Sequence, residues 1–535
     1  MPVAWVVWPV ALWLATVGNL PLWQRLSGLG LTAGGPALLF PVFGVLAALL
    51  SLLAWPRLLR PLASGLVVVA AFNSHFMWQY GAVIDPTMMA NVVHTDVREV
   101  RDLLSWSLPL ALLGVAGPPL WWIWRRPVGW RRPVVQTARN LAGVGIGLAL
   151  AVAVAVPGYP HLASLARNHK PLRYMVNPLN TVYASARLVA DQIPQQVQAL
   201  IPVGEDAVLA RPVAAGGPAP LLVLVVGETA RASDWGLNGY ARPTTPELVD
   251  WQARHGLVNF PDVTSCGTNT QVSVPCMFSP LTREQGGDRP ARHENLLDVL
   301  QRAGLAVLWL DNQSGCKGVC ARVPSARPAP DPALCDGDEC LDEALVQGLD
   351  QRLAELDPAR RARGTVLVLH TMGSHGPAYF KRSPADRKPF KPECTTVSLA
   401  DCPTEALRNG YDNSIAYTDH VLGLTLRWLE AQARSGPFAP GLLYVSDHGE
   451  SLGEGQVYLH GLPYAFAPAE QKRVPMVAWL SAPLQRASGV DPACLGSRAA
   501  GPVSHDHLFH SVLGLMGVQT AVRDDTLNLF RPCGT

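Results

Sequence analysis

No lysine occurs in residues 1–160 of this 535-residue chain, and no cysteine occurs before Cys266. The same 160 residues hold only 14 of the 84 charged residues. So small a supply of charge cannot coat a water-soluble domain, which excludes one from the N-terminal third. Neither sign of charge dominates the whole: 43 basic and 41 acidic residues leave a net charge of +2, and nucleic acid finds no electrostatic footprint. A CxxC pair of the kind structural zinc sites use is missing, as is any internal repeat. At roughly 150 residues per domain the chain divides into two or three parts. The composition makes them a membrane part followed by a water-soluble part.

What the first part does have is apolar runs of about 20 residues, enough to cross roughly 30 Å of hydrocarbon. They fall near 3–23, 36–55, 61–80, 103–124 and 138–157, so five spans are expected. Eleven of the 16 tryptophans lie in residues 1–160, several at span ends such as Trp55, Trp78 and Trp121, where indole suits the headgroup zone. The first run lacks the basic lead and small-residue cleavage site of a signal peptide. Arg57 and Arg60 sit between spans two and three, and Arg125, Arg126, Arg131, Arg132 and Arg139 between four and five. Those loops are therefore cytoplasmic, and the chain after residue 157 emerges on the far side.

The cysteines support that orientation. Cys266 and Cys276, Cys316 and Cys320, Cys335 and Cys340, and Cys394 and Cys402 form close pairs, with Cys494 and Cys533 left over. An even count, paired by proximity and confined to the soluble part, reads as five disulfides made in an oxidising compartment. Reduced cysteines or a zinc site are the alternative.

Between spans three and four, Asp85 to Asp102 reads as a short surface helix with Asn91, Thr95 and Glu99 on one face. Spacing alone makes that a solvated stripe more readily than a site. The expected organisation is a five-span domain over 1–157, an amphipathic bridging helix and linker over 158–219, and an α/β domain over 220–535. The amphipathic stretch is Asn180 to Leu200, suited to lying along a bilayer.

The α/β assignment rests on continuous apolar runs that alternate with helix-like stretches at 293–303, 339–356 and 405–434. Each run ends in polar residues: 221–226 at Glu228, 305–310 at Asp311, 365–369 at His370, and 442–445 at Asp447 and His448. Ligands bind beyond the carboxyl ends of parallel strands, so these termini should converge. Glutamate, aspartate and histidine there are zinc-type ligands, and His460 adds another. His370 by itself is a structural residue as readily as a ligand. A nucleophile is sought in the hydroxyl-rich loop Thr264 to Cys276, although its spacing alone fits a turn without chemistry. In Ser504 to His510 the histidines read as structural and Ser504 as a helix cap.

The segments Gly227-Glu-Thr-Ala-Arg231, Ser265-Cys-Gly-Thr-Asn-Thr-Gln271, Asp311-Asn-Gln-Ser-Gly-Cys-Lys-Gly318, His370-Thr-Met-Gly-Ser-His-Gly-Pro377 and Ser446-Asp-His-Gly-Glu-Ser-Leu-Gly453 resemble, in order and spacing, the lipid A phosphoethanolamine transferases. That family includes the mobile colistin-resistance enzymes, and its catalytic domain belongs to the alkaline phosphatase superfamily, a sulfatase-like α/β fold. The resemblance extends to the five spans, to Arg167-Asn-His-Lys170 and to Leu459 through Pro468.

Carried over residue by residue, it implies one zinc held by Glu228, Thr270, Asp447 and His448, with Thr270 as the nucleophile. It places His375 and His460 on the substrate phosphate or a second zinc, Lys317 nearby, and Asn91, Thr95 and Glu99 along the lipid pocket. Cys316 and Cys320 flank Lys317 as in only some members. The implied donor is phosphatidylethanolamine, the implied acceptor a lipid A phosphate, and the implied outcome resistance to polymyxin and other cationic peptides. The implied place is the bacterial inner membrane, with the catalytic domain in the periplasm and the chain a monomer without nucleic-acid partners. The alternatives are a relative with another acceptor, such as a glucan, heptose or glycan, and a non-catalytic lipid-binding protein. A sulfatase is disfavoured because the Cys/Ser-x-Pro-x-Arg nucleophile motif is missing.

Overall fold

The computed structural model describes residues 1–28, 34–94, 103, 106–125, 127–159, 162, 170–192, 200–210, 213, 217–286, 292–337 and 339–533. They form two compact units, one of residues 1–94 with the described residues from 103 to 192, the other of the described residues from 200 onward.

Five helical segments of the first unit are long and apolar enough to cross a membrane: Ala4–Gly28, Gly35–Leu52, Leu59–Tyr80, Ser107–Arg125 and Pro133–Ala155. Leu110, Leu113 and Val152 stay exposed on them, a surface fit for hydrocarbon and not for water. The first segment is not one straight helix. Ala4–Thr16 passes into a 3₁₀ turn at Val17–Asn19 before Leu20–Gly28 resumes. Pro21 offers no N–H to continue the ladder there, and buried Asn19 donates through Nδ2 to Leu14 O at 2.8 Å and to Asn177 O at 2.8 Å. The helices Gly34–Leu52 and Pro133–Ala155 pack through small residues. A Cβ added at Gly147 would come within 2.6 Å of Gly44 O, so only glycine permits the approach. Asp85 caps helix Pro86–His94 by accepting from Met88 N at 2.7 Å. The short helix expected after Asp85 is present and carries Asn91, while Thr95 and Glu99 lie outside the described residues. The amphipathic stretch forms helix Leu179–Gln192 and belongs to this unit.

The second unit is built on an eight-stranded sheet. In chain order its strands are β1 (Ala219–Gly227), β2 (Val258–Thr264), β3 (Ala306–Asp311), β4 (Ser325–Ala326), β5 (Thr365–His370), β6 (Phe438–Ser446), β7 (Arg473–Leu480) and β8 (Val503–Ser504). They lie in the order β8-β2-β7-β6-β1-β5-β3-β4. The four apolar runs of the sequence are the adjacent parallel strands β6, β1, β5 and β3, and β7 alone runs antiparallel to its neighbours. Register places Val226 beside both His370 and Val445, and Asp311 beside His370, so their carboxyl ends share one edge. Helix Thr404–Ser435 corresponds to the stretch expected at 405–434.

Two helical expectations need correction. The stretch 339–356 opens as strand Glu339–Cys340, paired with Cys335–Asp336, turns through a 3₁₀ segment, and is helical only from Leu349 to Glu355. The Cys335–Cys340 disulfide fixes the hairpin, and Gly348 at φ +71° breaks any continuous helix. Ser504 ends β8 and stands one residue before the N-cap position, His505, of helix Asp506–Leu515, and its Oγ accepts from Asp506 N at 3.3 Å, so the expected cap acts from one residue further out. All five disulfides join the cysteines paired by proximity, including Cys494 with Cys533.

Candidate active site and metal centre

Glu228 follows β1, and Asp447 and His448 follow the neighbouring β6; all three are fully buried. Their ligand atoms lie within 4.8 Å of one another. His448 Nε2 is 3.1 Å from Glu228 Oε1 and 3.5 Å from Asp447 Oδ2. Thr270 is the first residue of helix Thr270–Met277, whose cap Asn269 accepts from Val272 N at 3.0 Å. Its Oγ1 donates toward Glu228 Oε2 at 3.1 Å and lies 3.4 Å from His448 Nε2. The four residues implied as zinc ligands are thus together. Thr268, the other threonine of the motif, turns away and donates through Oγ1 to Leu462 O at 2.6 Å.

The remaining site residues surround this group at different depths. The His460 ring is 4.3 Å from that of His448 and 5.3 Å from that of His375, centroid to centroid. Lys317 reaches the centre only through a relay: Nζ donates to Ser314 Oγ at 2.8 Å, Ser314 bonds Gln313, and Gln313 Nε2 donates to Glu228 Oε2 at 2.9 Å. Asn91 lies in the other unit.

Several residues that sequence reasoning left without a role hold the centre in place. Glu450 accepts from Tyr379 Oη at 3.0 Å and lies 3.1 Å from His460 Nδ1. It stands inside the quoted Asp-His-Gly-Glu motif, which was the available signal. Thr229 adopts φ +61°, unusual for a β-branched residue, and this conformation lets its N–H reach Asp447 Oδ1 at 3.2 Å. His505 accepts through Nδ1 from Cys266 N at 3.1 Å and donates through Nε2 to Ser446 O at 2.9 Å, tying the Thr270 loop to β6. Burial, helped by the nearby His448 charge, pushes its pKa down to about 4 and keeps it neutral, although the bond to Ser446 O works the other way. Behind the centre, His370 pairs with Asp311 at 3.3 Å and leaves its buried Nε2 unpartnered.

The donor set fits a metal ion. Burial and the neighbouring Glu228 charge push Asp447 up to about 7, and its Oδ2 is buried without a hydrogen-bond partner. Burial disfavours charge on Glu228 too, but His448 and the other two histidines hold it well below the ordinary range. Burial likewise opposes protonation of His448, yet Asp447 and Glu228 outweigh it and push the imidazole up to about 10. His448 Nδ1 faces Gly449 O at 2.9 Å, which fixes the ring so that Nε2 points at the carboxylates. A divalent cation in place of the Nε2 proton would satisfy the orphaned oxygen and balance the two carboxylates.

Known proteins share both halves of this arrangement. The family described as Sulfatase matches residues 220–518, and that described as Phosphoethanolamine transferase EptA/EptB matches residues 42–193. Phosphoethanolamine transferase EptA of Salmonella typhimurium is 40% identical over 499 residues, covering 92% of this chain and 88% of that protein. Phosphatidylethanolamine transferase Mcr-1 of Escherichia coli is 36% identical over 536 residues, covering 97% and 95%. The integral membrane lipooligosaccharide phosphoethanolamine transferase A of Neisseria meningitidis superposes with a TM-score of 0.92 at 32% identity, covering 98% of each chain.

Proposed function

This chain belongs to the phosphoethanolamine transferase family, and on that premise we propose that it carries phosphoethanolamine from phosphatidylethanolamine to a phosphate of lipid A through a covalent phosphothreonine at Thr270. The observation that carries the reading is the placement of the Thr270 hydroxyl 3.1 Å from Glu228 and 3.4 Å from His448, at a helix N-terminus. A zinc ion held by Glu228, Thr270, Asp447 and His448 would supply the positive charge that acidifies the hydroxyl and offsets charge building on the phosphoryl oxygens.

In the first half-reaction Thr270 Oγ1 gives up its proton to solvent and bonds to phosphorus, and the bond to the glycerol oxygen breaks, that oxygen taking up a proton to leave as diacylglycerol. His460, its Nδ1 held against Glu450, and His375 stand where they can protonate the leaving oxygen. In the second, an oxygen of the lipid A phosphate bonds to phosphorus, the bond to Thr270 breaks, and the hydroxyl is restored. Lys317, tethered to the centre through Ser314 and Gln313, adds charge for the phosphoryl oxygens.

Two lipid substrates account for the division of labour: residues 1–157 anchor, 158–219 bridge and 220–535 catalyse. Arginine-rich loops on one side and five disulfides beyond the last span support an inner-membrane enzyme with a periplasmic site. Asn91, Thr95 and Glu99 belong to the lipid-substrate pocket in this reading. Adding an amine to an anionic phosphate weakens attraction for polymyxin and other cationic peptides. The test is the lipid A mass spectrum of a Gram-negative host expressing the intact chain or Thr270→Ala. A phosphoethanolamine increment is expected with the intact chain alone. An increment that survives Thr270→Ala would sink the nucleophile, and its absence from both strains would sink the acceptor.

A further inference from the structure

The loop after β3 turns through left-handed backbone: φ is +94° at Gly315, +49° at Lys317 and +90° at Gly318. Glycine enters that region freely, whereas the Cβ of a lysine opposes it. Something must therefore hold Lys317 there. Its own peptide groups do not, since among the described residues the Lys317 N–H and C=O take part in no hydrogen bond. Its ammonium bonds Ser314 Oγ at 2.8 Å and Ser314 O at 3.3 Å, but a flexible four-carbon stem passes little constraint back to the main chain.

Both shoulders of the loop are fixed. On one side Asp311 Oδ1 accepts from Gln313 N at 2.9 Å and from Gly315 N at 3.3 Å. On the other, Val319 is buried and its carbonyl accepts from Asn295 Nδ2 at 2.9 Å, Asn295 being the cap of helix Leu296–Arg302. Lys317 sits between them, inside the ring closed by Cys316–Cys320, whose two cysteines pack against the apolar core. A ring with a sequence separation of only 4 removes little chain entropy, so stability is a small part of its use. What it encircles is the residue whose ammonium starts the relay through Ser314 and Gln313 to Glu228.

We propose that the Cys316–Cys320 disulfide is a positioning element of the transfer site: it holds Lys317 left-handed and so keeps the ammonium on Ser314, where the relay to Glu228 begins. The inference rests on the transfer function proposed above. With the ring open, Lys317 relaxes toward right-handed or extended backbone, its side chain leaves Ser314, and charge is withdrawn from the phosphoryl oxygens.

The test is a double-mutant cycle on the zinc-loaded full chain in detergent, read as kcat for diacylglycerol release from phosphatidylethanolamine. Cys316→Ser with Cys320→Ser should lower kcat about fivefold to thirtyfold, the bias against the left-handed region, while zinc content holds. Lys317→Ala should lower it at least as far. Opening the bridge in that background should then change kcat by less than about twofold, because the group it positions is gone. Cys494→Ser with Cys533→Ser, which opens a bridge outside the relay, should leave kcat unchanged. An unchanged kcat in the Cys316→Ser, Cys320→Ser chain, an equal loss in the Lys317→Ala background, or a fall in zinc content that matches the fall in kcat overturns the proposal. Tryptic cleavage at Lys317–Gly318 needs no activity and tracks the population of the opened loop. It should appear only with the bridge open, and equal cleavage with the bridge closed also overturns the proposal. If serine at two positions that pack on the core prevents folding, alanine at both carries the same comparisons. An intact chain that releases no diacylglycerol removes the transfer reading, whereas release indifferent to the bridge removes this inference and leaves the transferase.

Discussion

Asp447, His448 and Glu450 all hold protons more tightly in the folded, metal-free chain than they would unfolded. Burial leads the shift of Asp447 to about 7 and of Glu450 to about 8, while the carboxylates overcome burial to bring His448 to about 10. The folded state therefore carries the extra protons from roughly pH 4.5 to 10, and its stability falls as pH rises through that window. Glu228 and Asp311, shifted downward, act oppositely in more acid solution, and His505, pushed down to about 4, opposes the trend up to about pH 6.5 without reversing it. The melting temperature of the metal-free chain should thus drop between about pH 5 and 9, and added zinc should restore more of it at the upper end, since metal displaces protons. A metal-free melting temperature that climbs with pH would contradict this. Glu450→Gln should keep zinc, measured by metal analysis, yet lower kcat by about 10–100-fold, because His460 loses the carboxylate that orients it. Glu228, Asp447 and His448, three of the residues proposed to hold the metal, stand in the sequence as polar residues at the ends of apolar runs, whereas Thr270 is reached only through the family resemblance. Gln313 and His505 were not legible, because each acts on a partner far away in the chain and no local pattern marks such a role, while Glu450 stood in the Asp-His-Gly-Glu motif without anything there to show that it orients His460.

At the level of elements, the sheet shows where sequence patterning holds and where it fails. β3, β5 and β6 are buried along their whole length and β1 at every residue but Pro220, and each contains an unbroken apolar run. β2 escaped that reading because Asn259 and Asp262 interrupt its apolar residues, and β7 because Pro475 falls inside its run, whereas Pro220 and Pro440 of β1 and β6 precede the apolar runs 221–226 and 442–445. Pro475 falls where the β7 register with β2 shifts, between Val474 and Met476, so the irregularity accommodates the missing N–H. The clamp between the Thr270 loop and β6 is testable: His505→Ala leaves Cys266 N and Ser446 O without their buried partner. It should cost about 2–4 kcal/mol in urea unfolding, more than His505→Gln. In the apolar unit, Gly147→Ile should lower thermal stability in detergent sharply, since even a Cβ would meet Gly44 O at 2.6 Å. An unchanged melting temperature would mean that the helix pair can separate at little cost.

Across the whole molecule, the cysteine-free stretch before Cys266 and the five bridges after it divide the chain by chemistry as sharply as by shape. The bridges are not equal. Cys494–Cys533 closes 39 residues and Cys316–Cys320 only 4, so the chain-entropy argument assigns about 4 and about 2 kcal/mol. Replacing Cys494 and Cys533 by serine should lower the unfolding free energy more than replacing Cys316 and Cys320, and the reverse order would argue against an entropic origin. β1 is central to the sheet, yet its neighbours β5 and β6 begin at Thr365 and Phe438. During synthesis the first strand made must wait for segments more than a hundred residues later before either flank is covered. Glu228 meets His448 only after that wait, so a ribosome halted before residue 448 yields a product that cannot assemble the centre. Holding the proposed metal therefore reports that translation has passed residue 448.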